Sequence, residues 1–346
     1  HRDDVVLMHL PPSSRHRQKL HGLGFEIPEC DALTKNGQIR ADSLQQTRKL
    51  NELRPWAWCP QSAALLRPLS QEEVNNRWNA ASRQLFAKDW QVEQLGIASV
   101  ICRSPEEITQ AAYALRDQDC EEAVAKSPFG AAGQKNRKFS TRTPSDIRSW
   151  GNRVLTQQGA LVIEPWLPRV FDFSVHYDCT KTGLHRLAFV QLENDRRGQF
   201  MACVASAKFP RGVSPEIARF LVGGVLAVYE AEIPNRLEPL LRSAGYEGPV
   251  GIDAFVHRAP DGSLQLRSVV EMNPRFTMGR LTWELMRRVA HGRTVRFELL
   301  RPGNPSETIR ELEAANPPVL DREGKMTSGC VVLNEPDSVL AVLTVG

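Results

Sequence analysis

"GIDAFVHRAPDGSLQLRSVVEMNPR", residues Gly251–Arg275, reads as two strands joined at an Asp-Gly turn, the second of which ends on Glu271, Asn273 and Arg275. Alternate side chains of a strand share a face. Leu266, Val270 and Met272 therefore point one way and Arg267, Glu271 and Asn273 the other, so two hard oxygen ligands stand side by side at the strand end. On the partner strand Ile252, Ala254 and Val256 form the core face, with Asp253 opposite. A three-residue loop of Asp261, Gly262 and Ser263 sets Asp253 directly across from Glu271; a two-residue loop sends it to the wrong face unless a bulge intervenes. Two carboxylates and an amide oxygen suit magnesium, which takes few protein ligands and completes its octahedron with water and phosphate, and they do not suit zinc. In a plain surface hairpin the same acids would pair with Arg267 and Arg275, and the hairpin alone does not separate the two readings.

Outward from the hairpin, strands and helices are well punctuated. "SPEEITQAAYALRDQ" has Ser104 as N-cap, Pro105 in the first turn and Glu107 completing a capping box. The strand "EEAVAK" runs into the basic, glycine-containing "SPFGAAGQKNRK". A second Pro-started helix ends at Gly159, and strand "ALVIEPW" breaks at a proline before three strand-like runs. "SPEIARFLVGGVLAVYEAEI" is apolar nearly all round and reads as a buried helix. Thr277 caps a last helix with Met278, Leu281, Leu285 and Val289 inward and Gly292 as its stop. Nearer the start, "DDVVLMHL" and "PWAWCP" read as strands of a small α/β unit, "SQEEVNNRWNAASRQLFAKDWQVEQLG" as helix, and Trp56, Trp58 and Trp78 as core anchors.

The composition narrows the class. With 346 residues, 41% of them apolar, there is material for two or three packed domains or subdomains. A net charge of +4, with basic residues scattered among acids, does not call for nucleic acid. Seven cysteines with no Cys-x-x-Cys pair argue against a disulfide framework and a zinc knuckle, and are most simply reduced cytoplasmic thiols. The longest apolar run is about half of what a bilayer requires, so no membrane partner is expected.

"VVEMNPR" preceded by "GIDAFV" resembles the metal-binding hairpin of the ATP-grasp superfamily, whose members activate carboxylates as acyl phosphates. Three upstream elements strengthen the resemblance. "AVAKSPFGAAGQ" is similar to the phosphate-gripping lysine and its glycine loop, with Lys126, Ser127, Gly130 and Gly133. "LVIEPWLPRVFDFSV" is similar to the hinge; the resemblance puts adenine against Glu164 and the main chain of Trp166 and Leu167, and ribose on Asp172. "ASRQLFAKDWQVEQLGI" matches the helix that carries a further basic residue, with Arg83 the nearer counterpart and Lys88 the second candidate, although Ser82 replaces the usual aspartate.

The resemblance implies an α/β (α+β) fold: a Rossmann-like pre-ATP-grasp domain over residues 1–80, an ATP-grasp domain over 81–310 with an antiparallel lid at about 120–205 and the hairpin at about 249–275, and a C-terminal segment over 311–346. It implies ATP and Mg2+ (or Mn2+) as cofactors, with Asp253, Glu271 and Asn273 on the metal. Arg83 and Lys126 fall on phosphates, and Arg275 on a substrate carboxylate or the oxyanion. Arg280, at a helix start, and Arg196 or Arg197, in a strand-connecting loop, are further anion candidates. The reaction expected is ligation of a small-molecule carboxylate to an amine; a bicarbonate-using carboxylase and a non-catalytic nucleotide-binding regulator are the alternatives. An oligomer is compatible with all three.

Overall fold

The structure is a computed structural model and describes residues 4–40, 51–130, 136–196 and 198–346. The chain forms two compact units, one of residues 1–79, 201–211 and 276–346, the other of residues 80–200 and 212–275. The second contains the hairpin.

In that unit an antiparallel sheet has the order Val100–Cys102, Leu161–Pro165, Glu122–Lys126, Asn136–Ser140. Helices Pro105–Arg116 and Arg148–Gln158 cover one face, and Ile108, Ala112, Leu115, Val154, Leu161 and Ile163 form the core between. The capping signals act largely as read. Ser104 accepts the Glu107 N–H at 3.2 Å, while the Glu107 carboxylate reaches back one residue further than expected, to the Arg103 N–H at 2.5 Å. Gly159 ends the second helix at φ +78°, a conformation open to glycine without strain. The strands' alternation leaves Lys126 and Glu164 on the face away from this core.

A second antiparallel sheet of the same unit has the order Leu264–Asn273, Gly248–Arg258, Arg169–Thr180, Gly183–Asn194. Its core face carries Phe173, Val175, Tyr177, Ile252, Ala254 and Val256, each at most 2% exposed. Helix Glu232–Ser243 buries Ile233, Leu237 and Leu241. Tyr229 meets Phe173 and Phe189 edge-on at 5.7 and 5.8 Å. Burial of each such ring contributes roughly 2–3 kcal/mol. Tyr229 also donates to the Ser268 carbonyl and accepts, through its own carbonyl, from the Tyr177 hydroxyl, both at 2.9 Å. The single buried helix expected from Ser214 onward is broken. It stops at Val222, because Gly223 and Gly224 (φ +114°) supply no helical preference, and a 3-10 turn follows over Val225–Tyr229.

The other unit opens with two parallel strands, Val5–Met8 and Glu29–Ala32, with helix Ser14–Gly22 between them in sequence. "PWAWCP" is not a strand: Pro60 starts a helix, Pro60–Leu66, capped by Cys59 and Ser62. Trp58 is buried beside Leu53, Leu66 and Val74, with Trp78 packed on them. Trp56 is 46% exposed and lies tilted against Phe276 at 5.9 Å, so it is no core anchor. Strand Thr294–Leu300 pairs antiparallel with Phe200–Ser206 and with Leu340–Val345, followed by Met326–Val332 and Val319–Leu320. All seven cysteines are free. Among the described residues no helix is long and apolar enough to cross a membrane.

Candidate active site

The hairpin brings Asp253 and Glu271 together by a route other than its loop. Near the turn Arg258 faces Leu264 and Phe255 faces Arg267, a register that would set Asp253 against Val269. A bulge then places Ser268, Val269 and Val270 opposite Ala254 alone, and Asp253 pairs with Glu271, Ile252 with Met272. The loop-set register expected from Asp261, Gly262 and Ser263 is therefore corrected: the turn residues are Pro260, Asp261 and Gly262, closed by the Ala259 N–H on the Ser263 carbonyl at 2.9 Å. The bulge supplies the shift. It also explains why Val269 is buried while Val270 is not.

Asn273 Nδ2 donates to Asp253 Oδ2 at 3.0 Å, and Arg275 Nη2 donates to Asn273 Oδ1 at 2.7 Å. Burial pushes the Asp253 carboxyl up to about 7, and the neighbouring Glu271 charge adds to the rise, against Arg275 and the Asn273 hydrogen bond. Two acids held this way favour a cation between them. Among the described residues no three acids, histidines or cysteines gather around one point. The oxygen donors at this end of the hairpin are the Asp253 and Glu271 carboxylates and the Asn273 amide. That set fits a hard divalent ion whose other ligands are water and phosphate.

Lys88, the second of the two basic candidates, completes the cluster. The helix expected across Ser70–Gly96 is three helices, Gln71–Arg77, Ala80–Gln84 and Lys88–Leu95, and the last begins at this lysine. Lys88 Nζ lies 2.9 Å from Glu271 Oε1 and donates to the Gly130 carbonyl at 2.5 Å, while its own N–H donates to Pro128. Arg83 is exposed, with its guanidinium 4.4 Å over the Phe129 ring. Gln91 pins the Lys88 helix to the hairpin: its amide donates to the Met272 carbonyl at 2.8 Å and accepts the Met272 N–H at 2.9 Å, as an adjoining strand would. Sequence reasoning missed Gln91, whose signal was a polar residue on the inward side of a helix.

Lys126 and Glu164 form an ion pair, each 5% exposed. Burial brings the Lys126 ammonium down to about 7, with Glu271 opposing and Arg169, Lys88 and Arg267 reinforcing the shift. Ser127 is buried, and its hydroxyl has no hydrogen-bond partner among the described residues. Gly133 and Arg197 lie outside the described residues.

At the hinge the Trp166 N–H is taken by the Glu122 carbonyl at 2.9 Å, so it is not presented to a base as expected. The Leu167 carbonyl accepts the Arg169 N–H at 2.9 Å. The Trp166 ring instead forms a wall beneath the cations of Lys138 and Arg169, at 4.8 and 5.3 Å. Arg169 also lies over Phe255 at 4.3 Å and holds Asp172 at 3.2 Å. Burial raises the Asp172 carboxyl against the Arg169 charge and hydrogen bonds from Arg169 and Asn194. Beside the hinge is a cavity of 260 Å³ whose lining includes Leu167, Leu266 and Val269 together with Arg236, His257 and Arg267. Arg196, in the same unit as the hairpin, is exposed at a strand-connecting tip. In the other unit Arg280 is ion-paired with Glu284 at 2.8 Å on helix Met278–Leu285, which stops short of Val289 and Gly292.

No family model matches the sequence, and no curated protein does. Solved structures do. The ADP complex of an N5-carboxyaminoimidazole ribonucleotide synthetase is similar over 82% of this chain and 73% of its own, at 12% identity and a TM-score of 0.52. The N5-carboxyaminoimidazole synthase of Aspergillus clavatus, solved with ADP and 5-aminoimidazole ribonucleotide, is similar over 99% of this chain and 93% of its own, at 14% identity and 0.51. The biotin carboxylase domain of a 2-oxoglutarate carboxylase from Hydrogenobacter thermophilus, solved with MgADP and bicarbonate, is similar over 82% of this chain and 67% of its own, at 12% identity and 0.53. These identities speak for architecture, and activity is argued from the site. All three are ATP-grasp enzymes, and this chain has the ATP-grasp fold.

Proposed function

We propose that the protein is an ATP-dependent ligase that activates a small-molecule carboxylate as an acyl phosphate and transfers the acyl group to an amine, releasing ADP and phosphate. The observation that carries this reading is the convergence of Asp253, Glu271, Asn273, Arg275 and Lys88 at one end of the hairpin, all within hydrogen-bond or ion-pair reach of a neighbour. That the similar structures hold ADP or MgADP supports it.

In this reading Asp253, Glu271 and Asn273 would hold magnesium, or manganese in its place, which would neutralise charge on the phosphates. Lys126 and Lys88 grip phosphate oxygens as point charges, Lys88 in the place first given to Arg83. Ser127 donates its buried hydroxyl, and Gly130 lets the chain approach closely. The base packs against Glu164, the Trp166 wall and Leu167, and Asp172 accepts from the ribose diol. Arg275, released from Asn273, presents its fork to the substrate carboxylate and then to the oxyanion.

A second reading is favoured by one observation: the carboxylase in the comparison was solved with bicarbonate. There the acid activated is bicarbonate itself. The test is phosphate release from Mg-ATP across a panel of small carboxylates and amino acids, with and without bicarbonate. Release that needs both an acid and an amine supports the ligase, and release that needs bicarbonate supports the second reading. If no acid, amine or bicarbonate stimulates release and Glu271→Gln changes nothing, both readings fail.

A further inference from the structure

Arg267 lies on the hairpin strand that carries Glu271, directly opposite Phe255, and its side chain is 13% exposed. One of its nitrogens, Nη2, donates to three acceptors on another part of the same unit: the Ala98 carbonyl at 2.8 Å, Ser99 Oγ at 3.1 Å and Glu164 Oε2 at 3.2 Å. Ser99 donates to the same Glu164 oxygen at 3.3 Å. The other oxygen, Oε1, is against the Lys126 ammonium. The buried chain of charges therefore runs Arg267, Glu164, Lys126, with one anion shared between two cations.

The sharing has a consequence for Lys126. A buried carboxylate with a single cationic neighbour gives that neighbour its whole charge, and a lysine so held does not move easily to another anion. Arg267 and Ser99 engage Oε2, while Oε1 faces Lys126. We infer that Arg267 is a positioning residue, which by occupying half of Glu164 keeps Lys126 poised to exchange that carboxylate for a nucleotide phosphate. The inference rests on the nucleotide site proposed above. The groups that face Lys126 are Glu164 on the hinge strand, Arg169 beyond it, Arg267 and Glu271 on the hairpin and Lys88 on its helix.

Calorimetric titration with Mg-ADP, which binds without turnover, tests it on the full chain between pH 6 and 9. Arg267→Gln weakens Mg-ADP about tenfold at pH 6, where Lys126 is protonated in both proteins, and raises the pH midpoint of binding by about one unit, since Lys126 loses a repelling cation and gains undivided Glu164. In a Glu164→Gln background the same change has little effect, because the carboxylate it manages is gone. Arg267→Lys, which keeps a cation beside Glu164, stays within about threefold of the parent. Loss of the Arg267 charge raises the midpoint in either case, so the dependence of the affinity loss on Glu164 is what a structural role alone does not produce. The inference is overturned if Arg267→Gln leaves affinity and midpoint unchanged, if it costs the same with and without Glu164, or if Arg267→Lys is as defective as the glutamine variant. A parent protein that binds no Mg-ADP overturns the nucleotide site itself, and this inference with it.

Discussion

Lys88 and a divalent ion compete for the same carboxylate, and Lys88→Met separates their effects. The Lys88 ammonium lies 2.9 Å from Glu271, with side-chain exposures of 7% and 24%. Removing one partner of a fully buried pair costs about 3–5 kcal/mol; with a quarter of Glu271 in water, about 2 kcal/mol is the appropriate scale. The cost falls on the metal-free state, where Glu271 then faces Asp253 without its lysine. Once an ion is bound between the acids the lysine is no longer needed there. By linkage that difference reappears as affinity, so Mg2+ without nucleotide binds the variant up to about 30-fold more tightly. At saturating Mg2+ the sign reverses, because a phosphate contact is missing, and ATP affinity falls about tenfold. Titration of Mg2+ alone, followed by ATP at fixed high Mg2+, reads both numbers on one preparation. A variant whose affinity for Mg2+ alone is unchanged or weakened refutes the reasoning, since the lysine would then not be the counterion that the metal displaces.

Three further outcomes are expected. The Lys126 ammonium has an ordinary value of 10.5 and a folded value of about 7, so between these pH values the unfolded chain binds more protons and stability rises with pH; urea unfolding at pH 7 and 9 gives a gain of about 2 kcal/mol that Lys126→Met abolishes. Gly329→Ala destabilises by about 3 kcal/mol or more in denaturant titration, because φ is +104° and the new methyl group meets the Pro317 carbonyl oxygen and, at 2.6 Å, the Pro318 Cα, which are backbone and cannot swing aside. Arg275→Met lowers the rate of acid-stimulated phosphate release by about a hundredfold while Mg-ADP affinity changes by less than about threefold, since the guanidinium is assigned to the reacting oxygens and not to the nucleotide.

What was legible in the sequence follows from how local each determinant is. Period-two alternation around "VVEMNPR" put Glu271 and Asn273 on one face with no tertiary information, and Ser104, Gly159 and Thr277 marked helix ends because caps act within four residues. The pairing of Asp253 with Glu271 was anticipated, but not its cause: a bulge over Ser268–Val270 is favoured by what packs on both faces of the strand, including Tyr229 on the Ser268 carbonyl, and leaves no turn signature. Arg83 is the nearer counterpart in sequence because it follows Ser82, where the resemblance expects an aspartate before the basic residue. The break that puts Lys88 at a helix start is tertiary, held by Gln91, which reaches the Leu85 carbonyl at 2.7 Å and the Met272 backbone at once. Arg267 shows the same limit in sharper form. Its sequence neighbours describe a strand residue facing the site, yet its partners Ala98, Ser99 and Glu164 are more than a hundred residues away. Charges that neutralise one another over such separations are set by the fold, and so the electrostatics of this site, more than its ligands, had to come from the structure.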